Sequence, residues 1–248
     1  AISLELWHTA SLVHDDVVDE SDKRRGQSSV NAIYDNKVSV LVGDYLLATS
    51  LTNAAMTGDV RLVELVGRLG QELSEGEIIQ LNNTNASNFS EDVYFEVIKK
   101  KTAALFATAA EAGAISVKST DEMAEMSRQF GELIGISFQI KDDIFDYSDL
   151  EDLGKPTMSD LRDGKVTLPL IIALQRAPQV EADHIRQLGE LVATESENPE
   201  TEKRLEEIKS FVLRFQGNEY AVQKMLAYKK QAIEALRIFR DSKTKESL

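Results

Sequence analysis

Acidic and basic side chains are concentrated in one short stretch, HDDVVDESDKRRG, at residues 14–26. Asp15, Asp16 and Asp19 end an apolar helical run, and Arg24 and Arg25 follow closely. Residues at i and i+4 share a helix face, so Asp15 and Asp19 repel each other unless a cation neutralises them. Carboxylates suit Mg²⁺, and arginine forks suit phosphate oxygens. The stretch therefore fits a site for a metal-bound phosphate, or else an acidic helix end facing solvent.

The same acidic spacing occurs again in QIKDDIFD at 139–146, which carries Asp142, Asp143 and Asp146. In a chain with 42 acids, a solvated helix face explains either cluster when it is taken alone. Two copies of one spacing, each flanked by apolar residues, instead favour a pair of Mg²⁺ sites. An EF-hand fits poorly, because DDIFDYSDLEDL lacks alternating acids and a glycine at its sixth position.

Residues able to bind phosphate recur after the second cluster and inside a middle helix. They are Lys155, Lys165, Lys101 and Thr102. The neighbouring Lys99 and Lys100 are interpreted as solvated side chains. His8 lies seven residues, or about two turns, before Asp15 and so shares its helix face.

Composition limits the classes of partner. The net charge of −14 argues against a long polyanion, so no nucleic acid is expected. The absence of cysteine excludes disulfides and thiolate metal sites. No apolar run is long enough to span a membrane, so we expect no transmembrane segment. We expect a cytoplasmic protein.

Helical periodicity and scarce Gly and Pro predict one all-α domain over 1–248. Helices are predicted at 1–20, 38–56, 59–82, 91–116, 120–148 and 166–176, followed by an acidic and amphipathic tail. Ser90 and either Thr120 or Asp121 are the expected helix starts. The helix at 38–56 is apolar on most sides and is expected to be largely buried. DESDKRRGQSS and LEDLGKPTMSDLRDGK are expected loops.

Taken together, the motifs resemble the isoprenyl (polyprenyl) diphosphate synthase family of trans-prenyltransferases. That family carries DDxxD with RRG, then KT, QxxDDxxD, GK and DLxxGKxTLP, in the order seen here. The resemblance implies a helical bundle of the isoprenoid-synthase type around a deep central cavity, usually as a homodimer. It also implies a Mg²⁺-dependent condensation of isopentenyl diphosphate with an allylic prenyl diphosphate, geranyl or farnesyl, through an allylic carbocation.

The resemblance also implies a role for each motif residue. All six aspartates of the two motifs are catalytic: Asp15 and Asp19 hold Mg²⁺ with Asp16 in support, and Asp142 holds a further Mg²⁺ with Asp143 and Asp146 around it. The allylic diphosphate is contacted by Arg24, Lys101, Thr102, Gln139, Lys155 and Lys165. Isopentenyl diphosphate is contacted by His8 and Arg25.

Product length follows from residues before the first motif. Short-chain members carry a bulky aromatic residue four or five positions before it, whereas this chain has Ser11 and Ala10. Trp7 is either a deeper stop or faces another helix. The residues around the first motif are most similar to those of long-chain members, so octaprenyl or a neighbouring length is expected, with geranylgeranyl as the alternative. We expect the protein to touch the membrane when so apolar a product leaves.

Other classes fit the motifs less well. A terpene cyclase or a squalene-type synthase does not combine two DDxxD motifs with RRG, and a non-catalytic regulatory subunit tends to lose one motif. An acidic helical interaction protein would bind no diphosphate. The chain starts without Met, inside an apolar helical pattern. We expect further helices before Ala1, carrying the family's Gly-Gly-Lys-Arg type motif for isopentenyl diphosphate.

Overall fold

The computed structural model describes residues 1–24, 26–83, 90–147, 158–195 and 198–247. Helices dominate these ranges, as predicted. The first half contains α1 (Ile2–Val18), α2 (Val30–Ile33), α3 (Asn36–Ala55), α4 (Val60–Asn82), α5 (Glu91–Ile98), a π-helical segment (Lys99–Ala103) and α6 (Ala104–Ser116). The second half contains α7 (Asp121–Asp146), α8 (Ser159–Arg162), α9 (Leu168–Arg176), α10 (Gln179–Thr194), α11 (Thr201–Arg214), α12 (Gly217–Ala235), a 3₁₀ turn (Leu236–Ile238) and α13 (Lys243–Glu246).

The predicted helix starts are confirmed by their caps. The Ser90 hydroxyl accepts from the Val93 N–H, and the Thr120 hydroxyl accepts from the Met123 N–H. Each cap satisfies one backbone donor that the first turn leaves without an intrahelical partner. The caps fix where α5 and α7 begin, and these two helices carry much of the site described below.

One predicted loop has more structure than expected. Within DESDKRRGQSS, β1 (Lys23–Arg24) pairs antiparallel with β2 (Gln27–Ser28). Gly26 in the turn has a φ of +79°, which glycine adopts without steric cost. The paired strands are too short to show an alternating sequence pattern, which explains why the hairpin was not predicted. It brings Arg24 back beside the end of α1.

α7 lies at the centre of the bundle, packed between α6 and α12. Two glycines on α7 let the neighbouring backbone approach closely. A Cβ at Gly135 would lie 2.7 Å from the Ala103 Cα, and one at Gly131 would collide with the Phe106 carbonyl. The π segment and α6 are therefore seated directly on α7, which sets the distance between the KT pair and the second aspartate motif.

The expectation that the helix at 38–56 is largely buried is wrong for this chain. The residues that α3 buries are small, namely Ser39, Gly43, Ser50 and Ala54. Its large apolar side chains face outward, with Leu41 67% and Tyr45 72% exposed. α3 packs closely on α1 through its small face, because a Cβ at Gly43 would collide with the His14 ring. The apolar composition therefore does not show which face is buried.

The core divides into several clusters rather than one. Trp7, Ala54, Val66, Leu69 and Ala104 form a cluster beneath α1, α3, α4 and α6. A second cluster joins α5, α7, α9 and α12, and a third fills the space among α8 to α11. Within the described part of the chain, no helix is long and apolar enough to cross a membrane. The site lies between the first two clusters.

Candidate active site

A cavity of about 550 Å³ opens between α1, α4, α5, the π segment, α7 and the segment that joins α8 to α9. It brings together residues that are far apart in sequence. Of the residues predicted to be functional, those lining it are Trp7, His8, Ser11, Asp15, Lys101, Thr102, Gln139, Asp143 and Lys165. Arg25 and Lys155 lie outside the described residues. Both aspartate motifs and the KT pair thus border one space, as the resemblance implies.

The first motif places its three carboxylates in different surroundings. Asp15 faces the cavity, and burial raises its pKa, with Lys101 acting in the opposite direction. Asp16 is only 4% exposed and accepts two hydrogen bonds from Arg24, 2.9 Å from Nε and 2.6 Å from Nη2. Asp19 lies 3.3 Å from the Lys165 ammonium. In this arrangement Asp16 is paired with Arg24, while Asp15 faces the cavity.

The second motif shows a similar division. Asp143 is 2% exposed and accepts from Tyr94 at 2.5 Å and from Gln139 at 2.8 Å. Both oxygens of Asp146 cap α8, accepting from the Ser159 backbone at 2.8 Å and the Asp160 backbone at 3.2 Å. Asp142 is exposed and is not among the lining residues. Burial raises the pKa of Asp143 to about 6, despite both hydrogen bonds.

The KT pair lies in the π segment, which is an insertion type often found at functional sites. The Lys101 ammonium forms an ion pair with Glu77 on α4 and lies 3.3 Å from Gln80 Oε1. The Thr102 hydroxyl donates to Gln139 Oε1 at 2.7 Å. The extra residue in the π turn lets both side chains face the cavity from one short segment.

The far end of the cavity is apolar. Trp7, Leu73, Leu105, Phe106 and Phe138 line it, and the rings of Phe106 and Phe138 are 5.4 Å apart. Trp7 is the lining residue of α1 furthest from Asp15, about 12 Å by helix rise. Its ring is 7% exposed and belongs to the cluster with Leu69. Apolar and charged side chains that line one cavity suit a molecule with an ionic head and a hydrocarbon tail.

The positions predicted to control product length separate in the structure. Ser11 lines the cavity, and its hydroxyl donates to the His8 carbonyl. Ala10 is completely buried and is not among the lining residues, because successive helix positions are turned by about 100°. Trp7 lines the cavity and also packs against neighbouring helices, and its role as a stop stays a prediction.

The donor chemistry of the site fits Mg²⁺. Burial raises the pKa values of Asp15 and Asp146, and burial with Asp146 and Asp143 raises that of Asp160 to about 7. Burial is the largest cause of all three shifts, because a buried site disfavours the charged form of a carboxyl group. No group of three acids or histidines already converges as a metal cage among the described residues. Carboxylate oxygens are ligands that Mg²⁺ prefers, and Mg²⁺ usually keeps several waters and is held by one or two carboxylates together with substrate phosphates.

The cavity also contains residues that sequence reasoning missed, chiefly Tyr94 and Asp160. Tyr94 precedes Lys101 by seven residues, about two turns, so the helical period could have placed it on the same face. Asp160 belongs to the quoted DLRDGK, but only the lysine was considered there. Gln80 and Asn83 come from α4, which carries no recognised motif.

Comparisons with known proteins agree with this geometry. A family model described as "Polyprenyl synthetase" matches residues 1–209. The chain belongs to the polyprenyl synthetase family. Members of this family are trans-prenyltransferases, so the chain is classed with enzymes, and its all-helical fold is that of its structural neighbours.

The names of individual relatives differ in the product that they give. The chain is 34% identical over 249 residues to an octaprenyl diphosphate synthase of Haemophilus influenzae, covering 100% of this chain and 74% of that protein. It is 40% identical over 187 residues to the Escherichia coli octaprenyl diphosphate synthase, covering 75% of this chain and 58% of that protein. A crystal structure of geranylgeranyl pyrophosphate synthase from Bacteroides thetaiotaomicron shares 48% identity with a TM-score of 0.81, covering 98% and 74%.

Proposed function

We propose that this chain elongates an allylic prenyl diphosphate with isopentenyl diphosphate in the presence of Mg²⁺. One observation carries the proposal: a single cavity is lined by an acid of each aspartate motif, by Lys101 and Lys165, and by apolar side chains that include Trp7. The relatives' names support the same reaction class. An interaction protein would have no use for so many inward-facing carboxylates beside an apolar pocket.

The proposed chemistry needs positive charge where the leaving group develops. Asp15, Asp19 and Asp142, with Asp16 in support, would hold Mg²⁺, which stabilises the departing diphosphate. Arg24, Lys101 and Lys165 would bind the same diphosphate, and Thr102 and Gln139 would fix its orientation. His8 on the cavity wall would contact isopentenyl diphosphate. Breaking the allylic C–O bond gives a carbocation, the second substrate's double bond attacks it, and the proton lost from the adduct goes to the diphosphate.

Two basic side chains form ion pairs with acids of the first motif, Arg24 with Asp16 and Lys165 with Asp19. Burial lowers the pKa of Lys165, but the neighbouring Asp19 and Asp163 together raise it by more. The pKa of Lys165 therefore lies above its ordinary value. Asp19 would hold the metal, and Lys165 beside it would contact a phosphate oxygen. The apolar end of the cavity excludes water from the cation.

Two product lengths each have a supporting observation. The curated relatives named above support octaprenyl or a neighbouring length. The Trp7 ring, about 12 Å below Asp15, and the Bacteroides thetaiotaomicron neighbour favour the shorter geranylgeranyl product. Trp7 would then act as the stop that Ser11 is too small to provide.

We also propose a homodimer that covers the outward face of α3. Leu41 and Tyr45 are exposed one turn apart on that helix, and exposed apolar residues that share one face mark an interface. Tyr45→Glu should convert the dimer to a monomer in light scattering. Val180→Glu replaces an equally exposed apolar residue on α10 and should leave the dimer intact.

The test of the reaction uses the full-length gene product with Mg²⁺, farnesyl diphosphate and labelled isopentenyl diphosphate, with products resolved by length. Chelation should abolish elongation, and Asp15→Asn should reduce it by about 100-fold or more. Asp121→Asn, a fully exposed acid, is the matched control. No elongation from farnesyl or geranyl primers would reject the proposal in favour of a regulatory subunit.

Product length is tested in the same assay with Trp7→Leu. The smaller side chain opens the cavity end, so the product should lengthen by at least one isoprene unit. Leu4→Ala loosens the same cluster without belonging to the cavity lining, and it should leave the length unchanged. Equal product lengths in wild type and Trp7→Leu would show that Trp7 does not limit the length of the product.

A further inference from the structure

Three hydrogen bonds link α5, the π segment and α7 beside the cavity. The Tyr94 hydroxyl donates to Asp143 Oδ2 at 2.5 Å. Gln139 Nε2 donates to Asp143 Oδ1 at 2.8 Å, and the Thr102 hydroxyl donates to Gln139 Oε1 at 2.7 Å. All four side chains line the cavity. They form a continuous series of hydrogen bonds that runs from the buried Tyr94 phenol to the Thr102 hydroxyl.

Donor and acceptor chemistry fixes the direction of this series. An ionised carboxylate only accepts, so Asp143 requires an N–H from Gln139 and thereby sets which way the amide faces. The Gln139 carbonyl then faces Thr102 and takes its single hydroxyl hydrogen. Among these four hydrogen-bonded side chains, the donor left for a ligand is the second amide hydrogen of Gln139.

We propose that Tyr94 is a positioning residue of the diphosphate site, whose phenol holds Asp143 in the orientation that directs a Gln139 N–H at the allylic diphosphate. The inference rests on the proposed function and adds a residue that no motif contains. Tyr94 is 3% exposed, and its ring packs edge-on to Phe95 at 5.3 Å. A phenylalanine would fill the same space, so the hydroxyl serves the contact with Asp143.

The electrostatic setting keeps the phenol a donor. Burial and the neighbouring Asp143 raise the pKa of Tyr94 well above its usual value. A hydrogen bond from a neutral donor to a buried carboxylate is charge-assisted and short, as observed. The competing explanation is that Tyr94 merely satisfies a buried acid and stabilises the fold. The two explanations differ in whether removing the hydroxyl changes ligand binding.

The chain offers a matched control. Tyr220 on α12 donates to Glu91 at 2.7 Å, which is another phenol–carboxylate bond to α5, and it is not among the cavity-lining residues. Calorimetry with Mg²⁺ and geranyl thiolodiphosphate, an unreactive allylic analogue, measures binding without turnover. Tyr94→Phe should weaken binding by about 10-fold, which corresponds to about 1.4 kcal/mol, and Tyr220→Phe by less than twofold.

Steady-state kinetics add a readout that a purely structural role would not move. Tyr94→Phe should raise KM for the allylic substrate about 10-fold while KM for isopentenyl diphosphate stays within twofold. In a Gln139→Leu background, Tyr94→Phe should have no further effect on analogue affinity, because the end of the series is already removed. Additive losses would overturn the assignment.

A second variant keeps the test open if Tyr94→Phe does not fold. Asp143→Asn still accepts from Tyr94 but presents an N–H to Gln139 and reverses its amide, so analogue binding should fall by a similar factor. Wild-type affinity in Asp143→Asn, or equal affinities in Tyr94→Phe and Tyr220→Phe, would overturn the role of Tyr94 alone. Failure of the wild-type protein to bind the analogue would overturn the proposed function and this inference together.

Discussion

Asp160 gives the sharpest test of the electrostatics of the site. Its backbone N–H donates to Asp146, and its carboxyl faces the cavity among Asp146, Asp143 and Asp142. Burial first, and then these neighbouring carboxylates, raise its pKa to about 7, while Lys165 acts in the opposite direction. In metal-free protein, Asp160 should therefore destabilise the fold once it is ionised, and Asp160→Asn should remove that cost.

The magnitude follows from linkage. A rise from 3.8 to about 7 is about three pKa units, or at most about 4 kcal/mol at 1.36 kcal/mol per unit. Because the folded-state pKa is raised, Asp160 does not destabilise the fold below about pH 4, where it is protonated in both the folded and the unfolded state. Stability is then lost as the pH rises, and the loss is complete once the pH has passed 7. Part of the loss already occurs at pH 5. The gain from Asp160→Asn should thus be about 1.5 to 3 kcal/mol larger at pH 8 than at pH 5.

The assay is thermal unfolding with a chelator present, at pH 5 and pH 8. For a chain of this length, the extra gain at pH 8 corresponds to roughly 3 to 10 °C in Tm. Asp163→Asn changes an acid in the same segment whose side chain is 60% exposed, and its effect should differ by less than about 0.5 kcal/mol between the two pH values. An equal gain from Asp160→Asn at both pH values would refute the reasoning.

Further predictions concern packing, the Asp16 anchor and the metal. Gly135→Ala should destabilise by about 1–3 kcal/mol because its Cβ would meet the π segment, whereas Gly113→Ala, with no atom within 4 Å, should stabilise by about 0.5–1 kcal/mol; urea unfolding that gave both the same sign would contradict this. Arg24→Gln should lower the free energy of unfolding in urea by about 3 kcal/mol, because Asp16 would stay buried without its cation. An unchanged midpoint would show that the ion pair does not stabilise the fold. Mg²⁺ with inorganic pyrophosphate should raise the wild-type Tm more at pH 8 than at pH 5, where the acids bind protons instead; the opposite order would remove the acids as the metal site.

Local signals predicted the helices well because period and capping are properties of neighbouring residues. Ser90 and Thr120 cap within three positions, and the sequence alone contains that information. The orientation of α3 is different, since its apolar residues surround the helix almost evenly. Only the close approach of α1 at Gly43 determines that small residues are buried and Leu41 is left outside.

The site was predictable where motifs mark it and not where distant parts of the chain meet. Tyr94 and Asp143 are 49 positions apart, and no local pattern links a phenol on α5 to a carboxylate on α7. The capping of α8 by Asp146 likewise depends on how the chain returns after the second motif. Such contacts exist only once the bundle has formed, so spacing identifies the acids but not their partners.

The repeated DDxxD spacing has a structural consequence that the i,i+4 argument alone does not reveal. The second aspartate of each motif is turned about 100° from the first, and in both motifs it is the buried one, Asp16 at 4% and Asp143 at 2% exposed. Each of these two buried acids binds a side chain predicted to contact the diphosphate, Arg24 in one case and Gln139 in the other. The first aspartate, Asp15 or Asp142, is left on a more exposed face of its helix. One spacing therefore gives the two acids of each motif different surroundings: the second is buried against the group beside it, and the first lies on a more exposed face of its helix.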